Sequence, residues 1–194
     1  MNDSKKGGGI AMLVVVLGLI TLVCALLLGV VNQVTDPLIK QNAIDTRNAA
    51  MGEILPEATD FPEVEVPEEM KSPEDKNAVA ITAAFKAEKD GEAIGYCVQV
   101  APKGFGGALT LIVGINADGT VAGAKVTAHA ETPGLGAKSQ DAEWIAQYAG
   151  QPADGSLAVS KDGGTINAIT GATITSRAVT NGVNAAAQFA ATLG

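Results

Sequence analysis

The stretch LTLIVGINADGTVAGAKVTA, residues 109–128, decides the fold. Leu109 to Ile115 is apolar apart from Thr110 and Gly114, the composition of a strand with little contact with water. Asp118-Gly119 follows, a dipeptide suited to a tight hairpin turn because both central positions need positive φ. Val121 to Ala128 then returns as a second strand. Outward on the N-terminal side, Pro102–Gly107 (PKGFGG) reads as a glycine-rich loop. Before it, Tyr96, Val98 and Val100 alternate on a strand, Glu88–Gly91 supplies a turn, and Val79, Ile81, Ala83 and Phe85 share one face of a further strand. Four consecutive strands joined by short turns make an antiparallel meander and exclude a parallel nucleotide-binding sheet, which needs long crossovers.

Outward on the C-terminal side, Ser139 to Ala149 reads as a short helix with Trp144, Ile145 and Tyr148 on one side. Arg177 to Thr192 reads as the last helix, with Val179, Val183, Ala186 and Phe189 near helical period and Ser176 as its N-cap. The fold class is therefore α+β, an antiparallel sheet packed with helices.

A different solvent is indicated at the N-terminus. Ile10–Val31, IAMLVVVLGLITLVCALLLGVV, is 22 residues without a charge. As a helix it spans about 33 Å, enough for a bilayer core of about 30 Å. No small-residue cleavage site follows it, and Leu22 and Val23 before Cys24 do not form a lipoprotein signal, so a retained transmembrane helix is expected. It explains a mean hydropathy of +0.23 in a chain with 18% charged residues. Lys5 and Lys6 precede the span and Asp36 is the first charge after it, which orients residues 1–9 to the cytoplasm and the remainder outside. Residues 32–77 are read as a connector that continues from the helix as a short amphipathic extension carrying Leu38, Ile39 and Ile44 and becomes acidic and proline-rich from residue 53. Between Glu53 and Asp75 it holds nine acids against Lys71 alone, with four of the chain's eight prolines. That composition cannot bury enough apolar surface to fold by itself, although Val64 and Val66 can pin it along the domain at residues 78–194.

The composition also limits the chemistry. A net charge of −8 disfavours an electrostatic grip on nucleic acid, so no nucleic-acid partner is expected. Two cysteines, Cys24 and Cys97, make neither a disulfide framework nor a cysteine-ligated cluster, and the one histidine, His129, cannot form a His-pair metal site. His129 reads as a packing or hydrogen-bonding residue. No nucleophile–base pair is present, so no catalytic residue and no metal site are assigned.

Two motifs remain. In Glu131-Thr132-Pro133-Gly134-Leu135-Gly136, Pro133 presets the first turn angle and Gly134 accepts the positive φ of a type II turn. Exposed amides beside Glu131 and Thr132 could bind a flat heterocycle, and a plain strand-to-helix turn stands beside that reading. In Thr170-Gly171-Ala172-Thr173-Ile174-Thr175-Ser176, four hydroxyls meet the start of the last helix, where free amides and the helix dipole attract anions. Gly171 and Ala172 leave space around Thr173. Thr175 and Ser176 are placed to cap the following helix, and a hydroxyl-capped helix with no ligand is the alternative. No lysine follows the glycine, so this is not a P-loop.

PKGFGG, VGINADGTVAG at Val113–Gly123, HAETPGLG at His129–Gly136 and TGATITS at Thr170–Ser176, taken together, resemble the FMN-binding domain shared by the G subunit of the Rnf complex and the C subunit of the sodium-pumping NADH–quinone reductase. The resemblance covers residues 79 to the C-terminus, and the length is nearer the Rnf subunit. It implies that FMN is attached through its phosphate to Thr173 by a separate flavin transferase that uses FAD. Glu131, Thr132, Gly134, Leu135 and Gly136 would then hold the ring, with Thr170, Gly171 and Ala172 beside the attachment point. Asn167 stands where the family's attachment pattern has an aspartate. The implied role is a membrane-anchored flavoprotein subunit that relays electrons in an ion-translocating ferredoxin–NAD oxidoreductase, without turnover of its own. Its implied partners are the other membrane and peripheral subunits, the transferase and membrane lipid. The rivals are a tethered ligand- or partner-binding module without redox work, and the same flavin domain in another respiratory complex.

Overall fold

The computed structural model describes residues 4–75 and 78–193, with side chains from residue 11 onward. The side chains of Lys5 and Lys6 lie outside the described residues, as does Gly194 at the expected domain's end. The chain divides into two compact units, Met1–Asp45 and Thr46–Gly194.

Helix α1, Ser4–Ile54, runs through the first unit and ends in the second. Within the first unit its large apolar side chains face outward, from Met12 at 71% exposure to Ile39 at 60%. From Ala11 it is long and apolar enough to cross a membrane. Helical structure continues past Val31, in line with the amphipathic extension the sequence offers, and runs on to Ile54. It passes Pro37, supported by the Lys40–Asp36 pair at 2.6 Å and the Gln41–Asp45 hydrogen bond at 2.9 Å, both at i,i+4 spacing. The expected connector therefore begins as helix.

The second unit is built on a five-stranded antiparallel sheet in sequential order: β1 (Glu63–Val64), β2 (Ala80–Lys89), β3 (Glu92–Ala101), β4 (Thr110–Asn116) and β5 (Val121–Ala128). The acidic stretch contributes β1 at the sheet edge and the single-turn helix α2 (Glu68–Lys71), and its Val66 is buried in the main core. Asp118-Gly119 makes a hairpin turn in which Gly119 alone takes positive φ, at +80°, and the Asp118 carboxylate accepts from the amide and hydroxyl of Thr120 at 3.0 and 2.6 Å. Those bonds hold the Asp118 carboxyl below its usual pKa.

Two further helices follow the sheet, α3 (Ala142–Ile145) and α4 (Thr173–Ala190). Helix α4 covers one face of the sheet, placing Val179, Val183 and Phe189 against Val98, Leu111 and Val113. Each fully buried Val or Leu here contributes about 1.5–3 kcal/mol. The last turns of α1 cover the other face, where Ala50, Met51 and Leu55 pack on Ala83, Phe85, Cys97 and Ile112. Arg47 lies over the Phe85 ring at 4.4 Å. This two-sided burial is why Leu109–Ile115 reads as continuously apolar.

Three expectations are corrected. First, Ile81 does not share a face with Ala83 and Phe85, because the register slips between Ile81 and Ala83. The bulge turns Ile81 and Ala84 toward the α4 side and Ala83 and Phe85 toward α1. Second, Ser139 to Ala149 is not one helix. Short 3₁₀ turns at Gly136–Gln140 and Ala146–Tyr148 flank α3, since Asp141 is extended. Third, α4 begins at Thr173 behind Ala172, and Ser176 lies buried inside it rather than capping it. The Ser176 hydroxyl donates to the Ala172 carbonyl at 3.0 Å and accepts from the Ile169 amide at 2.9 Å. It fastens the preceding turn to the first helical turn.

Candidate functional site

The two motifs meet at one end of the second unit. After β5, the Leu135 amide donates to the Thr132 carbonyl at 3.2 Å, and Gly134 has φ +75°, so Thr132–Leu135 forms the turn its residues imply. His129 Nδ1 accepts from the Glu131 amide at 3.1 Å, which steadies the start of this turn. The expected free amide beside Glu131 is therefore already committed.

The Glu131 side chain joins three segments. One carboxylate oxygen accepts from the Gly106 amide in the loop between β3 and β4 at 3.0 Å. The other accepts from the Thr175 hydroxyl in α4 at 2.7 Å. Glu131 is 6% exposed and Thr175 fully buried. A Cβ at Gly136 would collide with a Glu131 carboxylate oxygen, so this glycine is needed for the close approach. Here too the sequence reading is corrected. Thr175 is no helix cap; it is the partner of a buried carboxylate.

At the second motif the Ala172 amide donates to the Ile169 carbonyl at 3.0 Å, closing a turn before α4. The first intrahelical bond runs from the Ser176 amide to the Ala172 carbonyl. The amides of Thr173, Ile174 and Thr175 therefore precede the helix ladder, at the positive end of the helix dipole. The 3₁₀ turn Ser160–Asp162 is docked against these residues. Lys161 Nζ donates to Thr173 Oγ1 at 2.9 Å, and Asp162 accepts both ends of the Arg177 fork at 2.6 and 2.7 Å. The Arg177 guanidinium holds the Asp162 carboxyl below its usual pKa.

Between the motifs lies a cleft of about 270 Å³, lined by Phe105, Glu131, Thr132, Leu135, Gly136, Gly171, Ala172, Thr173, Ile174 and Thr175. Seven of the nine residues expected from the sequence line it; Gly134 shapes the turn behind it, and Thr170 lies in the turn before α4. From the sequence Thr175 has a capping role alone, Phe105 and Ile174 stand in quoted motifs with no role assigned, and Lys161 is not singled out. In the second unit, among the described residues, the large apolar side chains left exposed are Phe105 (72%), Leu135 (42%) and Ile174 (52%), and all three line this cleft. Such clustering of apolar surface around a few polar groups is what a flat ligand requires. No cluster of metal-ligating side chains occurs among the described residues.

Residues 104–188 match the FMN-binding domain family. The chain is 37% identical to the G subunit of the Na(+)-translocating ferredoxin:NAD(+) oxidoreductase complex of Acetobacterium woodii, over 89% of this chain and 87% of that protein. It is 34% identical to the G subunit of the ion-translocating oxidoreductase complex of Salmonella typhimurium, over 86% of this chain and 84% of that protein. A solved structure, the C subunit of the Na(+)-translocating NADH-quinone reductase from Parabacteroides distasonis, aligns with a TM-score of 0.46 at 28% identity, over 55% of this chain and 61% of that one.

Proposed function

We propose, from the premise that this chain belongs to the family of G subunits of ion-translocating oxidoreductase complexes, that it is the electron-transfer flavoprotein subunit of such an assembly. In this reading it carries FMN joined through its phosphate to Thr173. The observation that carries the reading is the cleft itself, which has apolar walls on one side and Thr173 at the open start of α4 on the other.

The residues present fit the group. Phe105, Leu135 and Ile174 offer apolar surface to a ring system, and the leading amides of α4 with Lys161 offer donors and positive charge to a phosphate. The cleft of about 270 Å³ has room for a heteroaromatic ring system against its apolar wall. FMN held there would supply one- and two-electron transfer, the hard chemistry that a cofactor brings. The chain's own work is placement. Glu131 ties the loop of Gly106 and the first turn of α4 to the turn after β5, which fixes the cleft's width. Thr173 offers its hydroxyl at the rim, where a covalent bond would keep the cofactor from dilution outside the cytoplasm.

The anchor in this proposal is α1, with Lys5 and Lys6 on the cytoplasmic side and the flavin domain outside. The partners are the other membrane and peripheral subunits, membrane lipid, and a flavin transferase during maturation. A reporter active only outside the cytoplasm, fused after the last residue, reads this orientation; activity of a cytoplasmic reporter there would refute it.

Intact mass of the full chain, with and without a coexpressed flavin transferase, tests the linkage. The labelled chain gains one FMN phosphoryl group and fluoresces in a denaturing gel, whereas Thr173→Ala gains nothing and stays folded. Colourless protein from cells containing the transferase, or a fluorescent Thr173→Ala band, would overturn the assignment.

A further inference from the structure

We infer that Lys161 is the positioning residue for flavin attachment, aligning the Thr173 hydroxyl and then neutralising the phosphodiester formed on it. This rests on the flavin reading above. The attachment forms a bond from Thr173 Oγ1 to the phosphorus on the riboflavin side of FAD and breaks the pyrophosphate bond. AMP departs with the bridging oxygen, the threonine proton is released, and nothing is oxidised or reduced. The product is a phosphodiester with one permanent negative charge beside Thr173.

That charge arises in an acidic chain of net charge −8. Two cations flank Thr173, and they differ in availability. Arg177, one turn further along α4, is held by both oxygens of Asp162, so the pair brings no net charge to the site. Lys161, from the same short turn as Asp162, instead places its ammonium 2.9 Å from Thr173 Oγ1. Among the described residues it makes no ion pair with a carboxylate. The Asp162–Arg177 fork sets the turn against α4, and that places Lys161 over the reacting oxygen. An ammonium donating to a hydroxyl oxygen leaves the hydroxyl proton directed away, toward an approaching base. It also sets a positive charge where two phosphate oxygens will come to lie.

The contact is solvent-exposed, so its contribution is modest and sensitive to salt. Lys161→Met in the full membrane-bound chain, supplied with transferase and FAD, is expected to take up label about 5-fold more slowly at low salt, a typical cost for one charge-assisted contact near a surface. Its melting temperature is expected to stay unchanged, and Lys161→Arg is expected to label within about twofold of the natural chain. After labelling to completion, the ³¹P resonance of the linkage is expected to shift between the natural chain and Lys161→Met, because the counter-cation has gone. Lys161→Met labelled at the natural rate would overturn the inference while leaving the flavin reading intact. A slow Lys161→Met with an unmoved ³¹P resonance would overturn it as well, since the lysine would then act on the transferase and not on the phosphate. Failure of the natural chain to take any label would instead overturn the flavin reading.

Discussion

Thr175→Val replaces a buried hydroxyl by a methyl of nearly the same size, and its effect separates the buried carboxylate from a capping role. Thr175 is fully buried, and its hydroxyl donates to Glu131 at 2.7 Å. Without it the carboxylate keeps the Gly106 amide, at 3.0 Å, as its donor on the other oxygen. A hydrogen bond to a charged group contributes about 1.5–3 kcal/mol, so the loss is expected near 2 kcal/mol. For a domain of this size that lowers the melting temperature by about 4–8 °C. A capping hydroxyl would cost about 1 kcal/mol and would show no coupling to Glu131. The assay is thermal melting of the detergent-solubilised chain in a double-mutant cycle with Glu131→Gln, where a coupling of about 1 kcal/mol is expected. Additive effects of the two substitutions, or a Thr175→Val melting curve within about 1 °C of the natural chain, would refute the idea that this bond ties α4 to the turn.

Three further outcomes are expected. Gly134→Val forces a β-branched residue to φ +75°, so the flavin ring should become more accessible to solvent quenchers while the mass label at Thr173 persists; unchanged quenching would count against ring placement by the turn. Burial pushes the Cys97 thiol up to about 12, so in a Cys24→Ser background the folded chain should resist thiol reagents at pH 8.5. Because the folded value lies above the unfolded one of about 8.5, Cys97 contributes its full stability below that pH and loses it as pH rises toward 12. The melting temperature should accordingly fall more steeply above pH 9 in the natural chain than in Cys97→Ala, and equal slopes would refute the burial argument.

The meander was legible because period-two alternation and Asp118-Gly119 are local signals that pairing only completes. The bulge in β2 was not, since the slip at Thr82 depends on its partners in β3. The second layer was half legible. Phe85, Cys97 and Ile112 are apolar on the face away from α4, which calls for a cover that the sequence reading left unsupplied. Ala50, Met51 and Leu55 supply it, but they lie where the chain reads as helix running into an acidic connector. At the site, Glu131–Gly136 and Thr170–Ser176 stood out because turn and helix-start chemistry is local. Phe105 drew no notice inside a glycine-rich loop, and Lys161 reaches Thr173 across a loop whose course only tertiary packing determines.

The cover over the second sheet face has a consequence for biogenesis. Ala50, Met51 and Leu55 leave the ribosome before any strand exists, yet their partner Ile112 sits on a strand formed after two hairpins have closed. Until then a cluster of apolar side chains at the end of α1 has nothing to pack on, while α4, which seals the opposite face, arrives last of all. Closing that long loop carries an entropic cost before any contact repays it, so the domain is expected to gain its native structure late and in one cooperative step. A nascent chain in this condition presents bare apolar surface to its surroundings until the sheet is complete.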